Sequence, residues 1–203
     1  FFRRRFLYSH FHHVDTPLGD GRDIRASDAS ILIFKTINNY IDQCLMKDEI
    51  VFVRYSEEFE IDLLTIWRKS LSQAIGVKED TRPESVREHL EFLRSLNPGF
   101  ITLAREETSR KLVGFMRLEG QVVRDLFIHV DYQRQALGSQ FIQQAKEKNE
   151  FLSLSTFELN KGAQKFYEAM GFVIRSRGYA SFDGNSWATN KEQLADITYE
   201  WRR

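Results

Sequence analysis

Residues 126–139 read Leu126-Phe127-Ile128-His129-Val130-Asp131-Tyr132-Gln133-Arg134-Gln135-Ala136-Leu137-Gly138-Ser139. An apolar, β-prone run gives way to a polar loop that ends at a glycine, and amphipathic sequence follows, so the stretch is predicted to be a strand feeding a loop that opens a helix. The first amides of a helix have no internal acceptor, and the aligned peptide dipoles favour an anion beside them. A pyrophosphate suits such a loop: Gly138 lets the backbone approach, Arg134 adds a charge-assisted contact and Ser139 offers a hydroxyl. On spacing alone, an ordinary strand-to-helix turn accounts for the same residues. The chain contains neither Gly-x-x-x-x-Gly-Lys-Ser/Thr nor Gly-x-Gly-x-x-Gly, which removes the main support for nucleotide hydrolysis and for Rossmann dinucleotide binding.

Upstream of this stretch, Phe100 to Arg105, Lys111 to Leu118 and Val122 to Val130 are strand-like, and their short connections predict antiparallel hairpins. Ile50 to Tyr55 is a further strand. Phe59, Leu63, Ile66, Trp67, Ser70, Leu71 and Ala74 recur at helical spacing until Gly76, and Pro83 opens a second helix with Val86, Leu90, Leu93 and Asn97 on its face. Downstream, a helix from Gly138 to Asn149 is followed by strand Phe151 to Phe157 and helix Lys161 to Met170. Gly171 ends that helix, and strands Phe172 to Arg177 and Ala195 to Trp201 complete the series. The order βααβββαβαββ predicts an α/β protein of the α+β type, a mixed sheet with helices on its faces, over residues 50–203.

Residues 1–49 form a different segment, expected to be an N-terminal extension. Phe1, Phe2, Phe6, Tyr8 and Phe11 alternate with Arg3 to Arg5 and with His10, His12 and His13. Such an arm suits RNA or a membrane surface, but the reading preferred is a tail packed loosely on its own domain or disordered. A helix is expected over 28–47, where Ile31, Phe34, Ile37, Ile41 and Leu45 share a face that suits either docking on the domain or a homodimer. Met46-Lys47-Asp48-Glu49-Ile50-Val51-Phe52-Val53-Arg54 reads as a domain beginning, so the functional unit is expected to start near Met46.

Of the 203 residues, 29 are Lys or Arg and 29 are Asp or Glu, so the whole-molecule field draws the chain neither to nucleic acid nor to an anionic membrane. Cys44 is the single cysteine and forms no internal disulfide, which points to a cytoplasmic setting. No apolar run reaches the roughly 18–20 residues of a membrane span. The three clustered histidines lack the spacing of a metal site, and no metal is expected.

A second block decides between the anion loop and the plain turn. Leu154-Ser155-Thr156-Phe157-Glu158-Leu159-Asn160-Lys161-Gly162-Ala163-Gln164-Lys165-Phe166-Tyr167-Glu168-Ala169-Met170-Gly171-Phe172 resembles the strand, Asn, Phe-Tyr helix and Gly-Phe turn of the GNAT acetyltransferase superfamily. The stretch Gln133-Arg134-Gln135-Ala136-Leu137-Gly138, after Leu126 to Tyr132, is similar to that family's Gln/Arg-x-x-Gly-x-Gly/Ala signature. Ala136 stands where the signature has its first glycine, and Val130 where a proline is common. The resemblance spans about residues 50–203.

The resemblance implies a GNAT-like acyl-CoA N-acyltransferase fold and acetyl-CoA as co-substrate, lying between splayed parallel strands. The implied reaction is direct transfer to a primary amine, small or peptidyl, without a metal. The implied coenzyme contacts are Phe127, Ile128, Gln133, Arg134, Gln135, Ala136, Leu137, Gly138, Ser139, Asn160, Ala163 and Phe166, with the Phe127 or Ile128 amide polarising the thioester. Asn160 serves equally as a helix cap. Tyr167 is the implied acid at the sulfur; on spacing alone it is a core aromatic. Glu119, Asp125 and His129 are candidate bases, each also readable as a solvated strand or turn residue. The acceptor pocket is expected between the connection from Gly76 to Glu84 and the segment from Gly178 to Gln193, with Tyr179, Phe182, Asp183 and Trp187. These residues suit a cationic amine, and also a plain loop anchored by Trp187. A catalytically silent acyl-CoA-binding module is the alternative that Ala136 favours.

Overall fold

A computed structural model describes Thr36 and residues 48–183, 185 and 187–203. The chain divides after Lys47. The aromatic arm, the histidine cluster, Cys44 and the helix expected over 28–47 lie outside the described residues, apart from Thr36.

Seven strands form one sheet among the described residues. β1 (Ile50–Arg54) is β-branched or aromatic at every position but the last and pairs antiparallel with β2 (Ile101–Glu106). Between them run α1 (Glu60–Ile75) and α2 (Pro83–Ser95). Gly76 ends α1 in the left-handed conformation at φ 71°, which a side chain would strain. Pro83 starts α2 behind an extended Arg82, where the missing N–H costs no helical bond. Asn97, expected on the face of α2, instead leaves the helix; its side chain accepts from the Gly99 amide at 2.9 Å and caps the turn at Pro98.

β3 (Leu112–Glu119) and β4 (Val122–Ile128) continue the antiparallel meander. α3 (Leu137–Glu147) crosses over to β5 (Phe151–Phe157), the partner to which β4 runs parallel. α4 (Lys161–Ala169) follows, and β6 (Val173–Tyr179) and β7 (Ala195–Arg202) close the chain as a hairpin whose β7 strand pairs with β5. The sheet order is β1-β2-β3-β4-β5-β7-β6, so the mixed sheet read from the element order is the observed one. β4 ends two residues earlier than expected, and Val130–Tyr132 coil into a short 3-10 turn.

Two apolar layers hold the sheet. Phe141, Ile142, Leu137 and Tyr167 from α3 and α4 pack on Val113, Leu152, Leu154, Ile197 and Tyr199. Leu63, Leu64, Ile66 and Leu93 from α1 and α2 pack on Leu103 and Phe115 across the other face. No helix among the described residues is long and apolar enough to cross a membrane.

Candidate active site

The parallel pair β4–β5 is joined only at Val122 with Ser153 and Val123 with Leu154. Beyond those pairs the strands part. A register shift in the β3–β4 ladder at Arg117 and Leu118 accompanies the divergence, as a bulge bends its strand and increases twist. The His129 amide donates to the Val113 carbonyl at 2.8 Å. Strand alternation turns the Phe127 amide toward β3 as well, and the amides of Leu126 and Ile128 toward the opening. Of the two amides expected to polarise a carbonyl there, Ile128 has the suitable direction. The Ile128 carbonyl accepts from Ser70 Oγ at 2.9 Å and Gln133 Nε2 at 3.1 Å, which fastens α1 and the following loop to the end of β4. Ser70 was visible in the sequence as a polar residue within the apolar stripe of α1.

One cavity of about 700 Å³ lies at the start of α3. Phe127, Ile128, Gln133, Arg134, Ala136, Leu137, Gly138, Ser139, Asn160, Ala163 and Phe166 all line it. Gln135 does not: its Nε2 donates to the Asp131 carbonyl at 2.9 Å and the side chain is exposed. The loop is shaped by left-handed residues, Arg134 at φ 61° and Ala136 at φ 64°, and by Tyr132, whose hydroxyl donates to Glu106 at 2.6 Å. Gln140 makes the first helical bond, to the Ala136 carbonyl. The amides of Leu137, Gly138 and Ser139 therefore precede the helical ladder, and no side chain caps them. They offer an open anion cradle of the kind helix N-termini provide. A Cβ on Gly138 would sit 3.3 Å from the Phe166 ring, so glycine here lets α3 approach α4. Lys165 also lines the cavity; sequence reading passed over it because a lysine on a helix ordinarily faces solvent.

Ala136 carries strain that glycine would not, about 1 kcal/mol for an L-residue held in the left-handed region. Ala136→Gly is expected to raise stability by roughly 0.5–1 kcal/mol, measured by urea denaturation. An unchanged or lowered midpoint would show that the loop strain is absorbed elsewhere.

A second cavity, about 650 Å³, opens on the other side of the gap. Its walls are the end of α1 with Val77 to Asp80, the residues Glu88, His89 and Phe92 of α2, the ends of β4 and β5, and Ala180, Asp183, Asn185 and Trp187. Both segments expected to wall an acceptor pocket contribute. Tyr179 and Phe182 do not; they are exposed on the outside. Trp187 stacks edge-on against Phe157 at 5.1 Å. Arg68, only 7% exposed, braces the α1–α2 wall. It bonds Glu79 at 3.3 Å, Ser85 at 3.4 Å, the Asp80 carbonyl and His89 Nδ1. Desolvation, followed by the Arg68 charge, lowers the His89 pKa.

Leu126, Phe127, Asn160, Ala163 and Tyr167 line both cavities. Asn160 caps α4, its Oδ1 accepting from the Ala163 amide at 2.9 Å. Tyr167 is 8% exposed, packs on Phe166, Phe172 and Tyr199, and makes no hydrogen bond through its hydroxyl among the described residues. Burial, and next the negative charge of Asp125, push its pKa well above the ordinary tyrosine range, so it stays protonated at neutral pH. It is thus both a core aromatic and a wall of the site.

The structure separates the three candidate bases. Asp125 lines the second cavity, where desolvation raises its pKa against the opposing Arg117 guanidinium, whose Nε lies 2.5 Å away. Glu119 lines neither cavity: Arg117 and Arg124 hold it at 2.5 and 3.0 Å. His129 also stays outside, its Nδ1 accepting from the Asp131 amide at 3.3 Å and its ring edge-on to Tyr132. The early end of β4 breaks the alternation that would have placed His129 beside Asp125 and Phe127.

Comparison with known proteins gives concordant matches. The Acetyltransferase (GNAT) domain family matches residues 97–174. Peptidyl-lysine N-acetyltransferase YjaB of Salmonella typhimurium is 29% identical over 119 residues, 57% of this chain and 77% of the relative. The solution structure of apo YjaB from Escherichia coli superposes with a TM-score of 0.59 at 24% identity, covering 75% of this chain and 97% of that one. A GCN5-related N-acetyltransferase crystal structure from Rhodopseudomonas palustris gives 0.56 at 19% identity, over 78% and 99%.

Proposed function

This chain belongs to the GNAT superfamily of N-acetyltransferases, and we propose that it carries an acetyl group from acetyl-CoA directly to a primary amine, with a peptidyl lysine as the acceptor class. The observation that carries the reading is the parting of β4 from β5 after two residue pairs, with cavities on either side that share Tyr167. The lysine acceptor is supported by the name of the Salmonella relative and by a second cavity that combines aromatic rings with carboxylates.

The residues present fit acetyl-CoA. The unpaired amides of Leu137, Gly138 and Ser139, with Arg134 and Lys165 beside them, would hold the diphosphate. Asn160 and the gap-facing edge of β4 would take the pantetheine, as a strand added to an open edge. Bound there, acetyl-CoA supplies the activated acyl group. The Ile128 amide would stabilise the oxyanion that forms when the amine attacks. Tyr167 would donate a hydrogen bond to the departing sulfur. A thiol titrates near about 8.5, below this raised tyrosine, so Tyr167 would stabilise the departing thiolate by its hydrogen bond, while the proton lost from the attacking amine would pass to solvent water in the open cavity, from which the thiolate is reprotonated. Burial first and the Asp125 charge second keep that tyrosine protonated, and Asp125 lies on the acceptor side.

Calorimetric titration with acetyl-CoA, followed by thiol release over a panel of amines, tests the proposal. Saturable binding with release is the expected result. Binding without release on any amine would favour the silent acyl-CoA-binding module, and no binding would remove both. The unit responsible is proposed to begin near Met46: removal of residues 1–45 is expected to leave acetyl-CoA affinity within about threefold of the full chain, a difference of under roughly 0.7 kcal/mol. Loss of folding or of binding would place those residues within the functional unit.

A further inference from the structure

Six carboxylates line the second cavity, and their partners distinguish them. Glu79 is held by Arg68, Asp80 by Arg82 and Asp125 by Arg117. Glu88 and Asp183 are exposed to solvent. Asp196 alone is half-buried with neither a hydrogen bond nor an ion pair to its carboxylate among the described residues.

Its position in the sheet is specific. Asp196 is the second residue of β7, paired with Phe157 on one side and Gly178 on the other, at the end of β5 where β4 has already diverged. Directly opposed residues of antiparallel strands project to the same face, so the carboxylate shares its face with the Phe157 ring, against which Trp187 stacks. A Cβ on Gly178 would lie 3.2 Å from Asp196 Oδ1; the glycine leaves the carboxylate its space. An unneutralised carboxylate, partly desolvated beside two aromatic rings, has the makings of a site for an organic cation.

We propose that Asp196 is the acceptor-binding carboxylate of this enzyme, holding the ammonium of the incoming amine against Phe157 and Trp187 until it gives a proton to solvent water and attacks as the neutral amine, and so selecting cationic acceptors. This inference rests on the acetyltransferase reading and names the recognition element within it. Nothing in the local sequence marks Asp196, which sits at the start of a strand-like run with no neighbouring motif. Desolvation, then the charge of Glu158, raises its pKa, consistent with a carboxylate placed to be neutralised by a ligand.

The test compares an acetyl-capped lysyl tripeptide with its norleucyl counterpart, which keeps the aliphatic chain and lacks the ammonium. Both are titrated into the full chain saturated with CoA, for wild type and for Asp196→Asn, which conserves shape and removes charge without stranding a protein partner. Wild type is expected to prefer the lysyl peptide by about ten- to hundredfold, the range of a hydrogen bond to a charged group. Asp196→Asn is expected to bring that ratio near one while CoA affinity and melting temperature stay at the wild-type values. A wild-type ratio near one, or a ratio that survives in Asp196→Asn, overturns the assignment. If the variant loses CoA affinity, Asp196→Ser, which also removes the charge, serves in its place: a lysyl preference that it leaves intact equally overturns the assignment. Thiol release from acetyl-CoA with the lysyl peptide is read separately. Charge selectivity without release refutes the transferase reading and leaves the binding site standing, whereas release with no charge selectivity refutes Asp196 alone.

Discussion

Tyr167→Phe is expected to lower kcat by about ten- to hundredfold, the range of one hydrogen bond to a developing charge, with the dissociation constant for acetyl-CoA unchanged. Only the hydroxyl is removed. The ring contacts with Phe166, Phe172 and Tyr199 persist, and because the hydroxyl bonds no side chain or backbone group among the described residues its loss leaves none of them unpaired. Melting temperature should therefore hold. The same reasoning bears on pH. Since burial and Asp125 raise the Tyr167 pKa, its proton is retained across neutral and mildly alkaline conditions, and wild type should show no alkaline limb in kcat from this group below about pH 10. Stopped-assay kinetics with calorimetry decide the matter. A kcat equal to wild type would confine Tyr167 to the core, and a weakened acetyl-CoA affinity would make it a binding residue instead.

Arg68→Ala is expected to destabilise the fold by about 3 kcal/mol, in line with removal of one partner from a buried charge network. For a chain of this size that is a fall of roughly 6–12 °C in Tm. The guanidinium, itself on α1, joins groups from two other places in the chain: Glu79 and the Asp80 carbonyl in the connection, and Ser85 and His89 on α2. Without it, buried Ser85 and the Asp80 carbonyl lose a donor. Arg68→Lys should recover little, since an ammonium cannot reproduce a fork that donates through Nε and both terminal nitrogens. Because Val77 to Asp80 wall the second cavity, the Michaelis constant for the acceptor should rise while acetyl-CoA affinity does not. A Tm shift under about 2 °C, less than 1 kcal/mol at this size, would show that the wall stands without Arg68.

His89 adds a pH dependence with a definite sign. Its folded pKa lies below the ordinary 6.5, through desolvation first and the Arg68 charge second. The unfolded chain therefore binds more protons between the folded pKa and 6.5. The associated stability is fully present above pH 6.5 and declines as pH falls through that value toward the folded pKa. Urea midpoints at pH 7.5 and pH 5.5 should show that decline, and His89→Gln should reduce it.

The element order was legible because its signals are short-range. Gly76 and Pro83 bracket the connection between two helices, the β-branched and aromatic composition of 50–54 marks a strand, and the glycine-ended loop before α3 announces uncapped amides. The block from Leu154 to Phe172 was legible for a similar reason, since strand, cap and helix lie within one continuous stretch. Asn97 was misread because Leu93 and Asn97 share a helical spacing, which local periodicity cannot distinguish from a helix that has already ended.

The candidate carboxylates were not legible to the same degree. Glu119 and Asp125 look alike in sequence, yet Arg117 and Arg124 draw Glu119 away from both cavities, whereas Asp125 meets one of those arginines and keeps a place on the cavity wall. Asp196 went unnoticed because its relevance comes from Phe157 and Gly178, neither of them near it in the chain. By itself the sequence determined the order of helices and strands, the loop that frees the amides of Leu137 to Ser139, and the resemblance to the GNAT superfamily. Those follow from the spacing of apolar residues and from backbone preferences over a few neighbours. Only the tertiary structure decided which acids are neutralised, which is left open, and that Tyr167 stands where two cavities meet, because solvent exclusion and Coulomb attraction act between residues that folding alone brings within a few ångströms.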